Sequence, residues 1–394
     1  MGGAEAQSER VYLDWNATAP LWPAARDAAV AALAAGGNPS SVHAEGRSAR
    51  ATVEKARRAL AEIFGVPADG VTFTSGGTEA NMTALSPGVR RPGTEPAERL
   101  IVSAVEHAAV RAGGRFSPAD ITIVGVSADG LIDCDALAHA LGEDERPALV
   151  SVMAANNETG AVQPLRDVLA LCEEHRATLH TDAVQAFGRI AHGDLCAHLI
   201  SISAHKIGGP LGAGALIRRA GVVVPPLITG GGQERGVRGG TENVAAIAGF
   251  AAALGAPAAD PSAWQHTRSA RDNFEADLFN VVPDARIFSQ DAPRLPNTSL
   301  ISVGSIPAEI SLIGLDMEGI AVSSGAACSS GSVASSHVLA AMGVMDDVAG
   351  AALRVSVGPE GADVAFERFL RAISKVIVPM KERSISRTGP TYGL

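Results

Sequence analysis

From about Leu60 to Arg219 the chain alternates short apolar runs with segments whose apolar residues recur at helical spacing. The apolar runs are GVTFTS, RLIVSAVE, ITIVGV, ALVSVMA, ATLHTDA, LISISA and GALIRR. They are rich in Val, Ile and Leu with few polar interruptions, the pattern of strands covered on both faces. Between them lie segments such as GTEANMTAL and LRDVLALCEEHR, with the spacing of an amphipathic helix. Strands alternating with helices predict an α/β fold around a mostly parallel central sheet. Ligands of such sheets sit at the C-terminal strand ends, so the polar residues found there are the ones to inspect.

The pattern changes at LGAPAADPSAW, where Pro, Ala and Asp dominate. A boundary near residues 255–265 is expected there. It leaves a large domain over 16–260 and a smaller α+β domain formed by 1–15 and 261–394. The smaller part holds a long helix, SARDNFEADLF, and the strands NTSLISV and LRVSVG. The tail KERSISRTGPTYGL shows no periodicity and is expected to be mobile.

Composition narrows the function class. Of 394 residues, 46% are hydrophobic and 19% charged, as in globular proteins. A net charge of -10 and an aromatic content of 4% argue against nucleic-acid binding, which needs Lys and Arg on phosphates and rings under bases. MGGAEAQSER has no apolar signal core, and Ala6 breaks the myristoylation pattern. No apolar run is long enough to span a bilayer, so a cytoplasmic protein without membrane contact is expected. Cys134, Cys172, Cys196 and Cys328 are scattered, with neither a disulfide framework nor a CxxC pair. Cys172 has the spacing of a core residue, and Cys134 and Cys196 sit at loop or helix edges. Cys328 is different: it stands in the polar stretch SSGAACSSGS, where nothing is available to bury it or pair with it.

The strand ends carry a set of reactive types. LISISA runs into Ser203, His205 and Lys206; ATLHTDA ends on Asp182, with Gln185 one turn later. Lysine at a buried strand end is costly as a cation. A Schiff base to pyridoxal phosphate removes that charge and uses the amine, and the same cofactor needs a carboxylate at its ring nitrogen. Each residue has a plainer reading alone: Lys206 snorkelling to solvent, Asp182 capping a helix. Together, on successive strand ends, they favour the cofactor. GVTFTS passes into Gly76, Gly77 and Thr78 at a helix start, an anion site suited to phosphate. His107 follows RLIVSAVE, where it can stack on a ring and move protons. Asn157 follows ALVSVMA and can hydrogen-bond a phenolic oxygen. No GxxxxGK[ST] loop is present.

In order along the chain, LDWNATAP, GNPSSVHAEGR, TSGGTEANM, EHAAV, NNETG, HTDAVQAFG, SAHKIGGP, RGGTEN and SSGAACSSGS make the sequence resemble the cysteine desulfurases, from about Val11 to Gly358. The resemblance implies an aminotransferase-like pyridoxal-phosphate fold and a homodimer. It implies that Lys206 bonds the cofactor and Asp182 pairs with its ring nitrogen. His107 would stack on the ring, and Asn157 and Gln185 would touch the cofactor oxygen. Gly77, Thr78, Ser203 and His205 would hold the phosphate, with Thr241 reaching it from the partner subunit. Asn38 and Arg354 would receive the carboxylate of L-cysteine, although the alternation in LRVSV also allows Arg354 to face outward. Cys328, in the loop at about 323–335, would take the sulfur as a persulfide, leave L-alanine, and hand the sulfur to an iron–sulfur scaffold or other acceptor. No resident metal is implied; Cys328 could ligate a cluster iron only in passing. The other readings are a selenocysteine lyase or another class V pyridoxal-phosphate aminotransferase, and a sulfur carrier without turnover. The serine-rich loop, in place of a GHHC-type pattern, weighs against the lyase.

Overall fold

The computed structural model describes residues 10–304, 306–325 and 336–387, so Cys328 falls outside the described residues. A two-residue strand, β1 (Val11–Tyr12), precedes the main sheet. That sheet contains β2 (Val71–Thr74), β3 (Arg99–Ser103), β4 (Ile121–Val124), β5 (Ala148–Ser151), β6 (Thr178–Asp182), β7 (Leu199–Ser203) and β8 (Gly214–Arg218), in the order β2-β8-β7-β6-β5-β3-β4. Each of the seven apolar runs is one of these strands. Neighbours from β7 through β4 pair in parallel, whereas β8 is antiparallel to both β7 and β2. The reason lies in the connections. Parallel neighbours need a crossover, while the short Gly-rich segment between Ser203 and Gly214 returns the chain directly.

Alternate side chains of the sheet enter different cores. Ile101, Val150, Leu179 and Ile200 join Phe187 and Phe250 on one face. Leu100, Val102, Leu149, Leu199 and Leu216 meet Ala80, Ala84 and Val110 on the other. This two-sided burial is why the inner runs lack a polar face; at the edge strand β4, Thr122 and Ile123 are exposed. Each such side chain contributes about 1.5–3 kcal/mol by leaving water.

A second sheet is built from β9 (Arg286–Ile287), β10 (Thr298–Ser302), β12 (Ser323–Ser324) and β13 (Ala352–Ser356), in the antiparallel order β12-β13-β10-β9. The remaining strand, β11 (Ile320–Ala321), pairs in parallel with β1. This part has its own core. Phe274 of the helix Gln265–Val281 stacks on Phe366 of the helix Ala362–Arg387, with ring centroids 4.6 Å apart, over Ile301, Leu353 and Val355.

The tail is helical in its described part, and residues 388–394 lie outside the described residues. Residues 381–387 continue the helix Ala362–Arg387 rather than hanging free of it. Phe366, Phe369, Ile373 and Ile377 seat that helix on the core, and Lys381 pairs with Asp284. Once a helix is nucleated by such packing, adding residues costs little, so periodicity is not required of its last turns. Among the described residues no helix is long and apolar enough to cross a membrane.

Candidate active site

The C-terminal ends of β5, β6 and β7 and the turn after β2 surround a cavity of about 320 Å³. Ten expected site residues line it: Gly77, Thr78, His107, Asn157, Asp182, Gln185, Ser203, His205, Lys206 and Arg354. A volume in this range suits a small organic ligand.

Asp182, the last residue of β6, is buried at 5% exposure. Its Oδ2 accepts from Asn81 Nδ2 at 2.6 Å and its Oδ1 from the Val184 N–H at 2.9 Å. Two donors keep the carboxylate oriented. Lys206 ends the short 3-10 turn Ala204–Lys206 that follows β7. Its Nζ donates to the carbonyls of Asn16 and Ala17, so the N-terminal segment folds over the amine. His205 is held by Thr18 Oγ1 at 3.2 Å. Burial, with the positive charges of Lys206 and Arg189, pushes its imidazole down to about 4, so it is neutral at physiological pH.

The helix Gly77–Ala84 starts at the cavity wall. A Cβ on residue 77 would lie 2.6 Å from Val184 Cγ2, so only glycine lets the helix start approach the turn after β6 this closely. His107 caps the helix Ala108–Arg111, its Nδ1 accepting from the Ala109 N–H at 3.1 Å. That bond places the proton of a neutral ring on Nε2. Gln185 donates to the Asn16 carbonyl at 2.9 Å, and its Oε1 accepts from Arg189 Nη1.

Arg354 does not face outward. It is 2% exposed, donates from Nη2 to Asp14 Oδ1 at 2.7 Å and from Nη1 to the Asn157 carbonyl at 3.0 Å, and has a buried Nε without a hydrogen-bond partner among the described residues. This fixed guanidinium suits a carboxylate of a ligand.

Two expected residues lie elsewhere in the single chain. Asn38 is exposed, its Oδ1 accepting from the Ser40 N–H at 2.9 Å. Thr241 is exposed beside a separate cavity of about 140 Å³ that Glu234 and Arg238 also line. Cys328 is outside the described residues, but both flanks of its segment are described. The Gly325 N–H donates to the Ala352 carbonyl at 3.2 Å. Ser336 Oγ donates to Glu158 Oε2, and His337 Nε2 donates to the Glu106 carbonyl at 2.9 Å. Burial pushes the Glu158 carboxyl up to about 7.

Sequence reasoning assigned nothing to Asn16 and Asn81, which line the cavity, or to Asp14 and Arg189, which bond the lining residues Arg354 and Gln185. Asn16 and Asn81 fall inside the motifs LDWNATAP and TEANM, which is the only sequence signal they carry.

The family model for aminotransferase class V matches residues 11–362. The chain is 42% identical over 387 residues to a cysteine desulfurase of Cereibacter sphaeroides, covering 95% of this chain and 98% of that one. It is 39% identical to the cysteine desulfurase IscS of Dictyoglomus turgidum, covering 88% and 89%. The structure of a NifS-like protein from Rickettsia africae superposes with a TM-score of 0.83 at 33% identity, over 94% of this chain and 99% of that one. The match covers most of the chain, and the strand-end residues converge on one cavity. The chain belongs to the class V aminotransferase family, among the cysteine desulfurases.

Proposed function

We propose that this chain is a pyridoxal-phosphate-dependent cysteine desulfurase, which takes sulfur from L-cysteine as a persulfide on Cys328, releases L-alanine, and passes the sulfur to an acceptor for iron–sulfur cluster assembly. The observation that carries the reading is the convergence of Lys206, Asp182 and Arg354 on one cavity, in a chain similar to cysteine desulfurases along its length.

The residues fit the cofactor. Asp182 is a buried, charge-bearing acceptor for a ring nitrogen, and Lys206 an amine for the aldehyde. The helix start at Gly77 and Thr78, the Ser203 hydroxyl and the neutral His205 supply donors for a phosphate. Bound pyridoxal phosphate supplies an electron sink for charge at the substrate α-carbon. The protein's side chains do the rest. Arg354 receives the substrate carboxylate, and Lys206 takes the α-proton. The Cys328 thiolate attacks the substrate sulfur: an S–S bond forms, the C–S bond breaks, and its electron pair stays with carbon. His107, with its proton on Nε2, helps return protons to the product.

The chain is read as a homodimer in the cytoplasm, divided into a large domain over 16–260 and a small domain from 1–15 and 261–394. The position of Thr241 outside the cavity fits the dimer reading, in which it reaches the phosphate from the partner subunit. The test is Cys328→Ala. Sulfide release from cysteine should fall at least about a hundredfold, near 3 kcal/mol of barrier, while the cofactor's visible absorbance is unchanged. Undiminished sulfide release would remove Cys328 as nucleophile and favour another class V activity.

A further inference from the structure

Glu106 is 0% exposed, one residue before His107, and the chemistry above does not use it. Its Oε1 accepts from the N–H of Met153, a cavity-lining residue, and its carbonyl accepts from His337 Nε2. Its Oε2 is buried without a hydrogen-bond partner among the described residues. A second buried polar atom without a partner among the described residues belongs to a residue that lines the cavity. Asn81 gives its amide N–H to Asp182, and its Oδ1 is buried with no donor.

The charges around Glu106 are one-sided. The charge that acts on it is the Asp182 carboxylate, which raises its proton affinity on top of the larger effect of burial. His337, whose ring touches the Glu106 carbonyl, is pushed toward neutrality by burial. Ionised, Glu106 would add a second negative charge beside Asp182 in a dry site. Protonated, Glu106 adds no charge there.

We propose that Glu106 is a positioning residue that works as a neutral carboxylic acid: locked to the Met153 N–H, it holds that cavity-lining residue in place and leaves Asp182 as the single negative charge facing the cofactor ring. This rests on the pyridoxal-phosphate reading above. A neutral acid kept beside an ionised one is how paired carboxyls divide two roles.

Apo protein of three kinds, wild type, Glu106→Gln and Glu106→Leu, is titrated with pyridoxal phosphate and followed by visible absorbance. Glutamine keeps the acceptor and a donor but cannot ionise, so its Kd should stay within about threefold of wild type. Leucine removes both, and its Kd should rise at least about tenfold, near 1.4 kcal/mol, with a shifted pH midpoint for the bound-cofactor absorbance. A glutamine variant as impaired as the leucine variant shows that Glu106 acts as an anion, and a leucine variant equal to wild type shows that it positions nothing; either overturns the proposal. Infrared difference spectra decide the case if the leucine variant does not fold. The C=O stretch of a protonated Glu106 carboxyl should be the band that apo wild type has at neutral pH and Glu106→Gln lacks, the Glu158 carboxyl being common to both, and its absence from that difference overturns the proposal. Wild type that binds no pyridoxal phosphate would instead sink the functional reading, leaving the infrared result to stand alone.

Discussion

Replacing Glu158 by glutamine should flatten part of the protein's stability–pH curve. Glu158 follows β5, is 4% exposed, and accepts from Ser336 Oγ. Burial raises its carboxyl from 4.5 to about 7, and the Ser336 hydroxyl, Arg354 and His107 offset only part of that. Between these two values the folded protein holds a proton that the unfolded chain releases. The stabilisation is therefore complete below pH 4.5 and is lost as pH rises through about 7. At about 1.4 kcal/mol per pH unit this amounts to about 3 kcal/mol. A glutamine amide oxygen can still accept from Ser336, and it does not titrate. Urea unfolding of both apo proteins from pH 4 to 8 isolates the difference, because the other groups titrate alike in each. Relative to Glu158→Gln, wild type should lose about 3 kcal/mol across the window. Parallel curves would refute the reasoning, since they would mean the carboxyl is already ionised at acid pH or reached by water.

Two further substitutions probe the site's supports. Asp14→Ala removes the carboxylate that holds Arg354 Nη2 at 2.7 Å; the KM for cysteine should rise about tenfold with kcat less affected, near 1.4 kcal/mol of lost orientation, and a lower KM would show Asp14 to be a competitor for the guanidinium instead. Asp182→Asn presents one oxygen to two donors, Asn81 Nδ2 and the Val184 N–H, so the apo protein should lose about 1–3 kcal/mol in urea unfolding, and unchanged stability would show that the second donor finds another acceptor.

Much of this architecture is legible locally, because strand burial and strand-end placement leave marks within a few residues of each position. Val150 and Leu149 enter opposite cores, so their run lacks polar gaps. Asp182 and Lys206 end strands, so their chemistry stands out against apolar neighbours. What escapes notice is held together across the chain. Asn81 reaches Asp182 over 101 residues, and Lys206 reaches Asn16 over 190. Neither asparagine differs in its local pattern from one in a turn. The reversed β8 follows from the brevity of the segment before it, and the helical tail from packing several turns upstream; neither is a periodicity. Asn38 and Thr241 are marked only by motif likeness, because their neighbours in a single chain are solvent and loop.

The bond between the Gly325 N–H and the Ala352 carbonyl has a consequence for sulfur delivery. Cys328 is three residues beyond that fixed point, and three extended residues span at most about 11 Å. The Cα of Cys328 is therefore tethered within about that radius, and the thiol reaches farther by the length of its side chain, whatever the length of the segment on its other side. On the proposed reading of Cys328 as the sulfur carrier, an acceptor has to bring its own receiving group within this reach of the rim formed by β12 and β13 for as long as the Gly325 bond holds, and a more deeply recessed receiving group would require that bond to open.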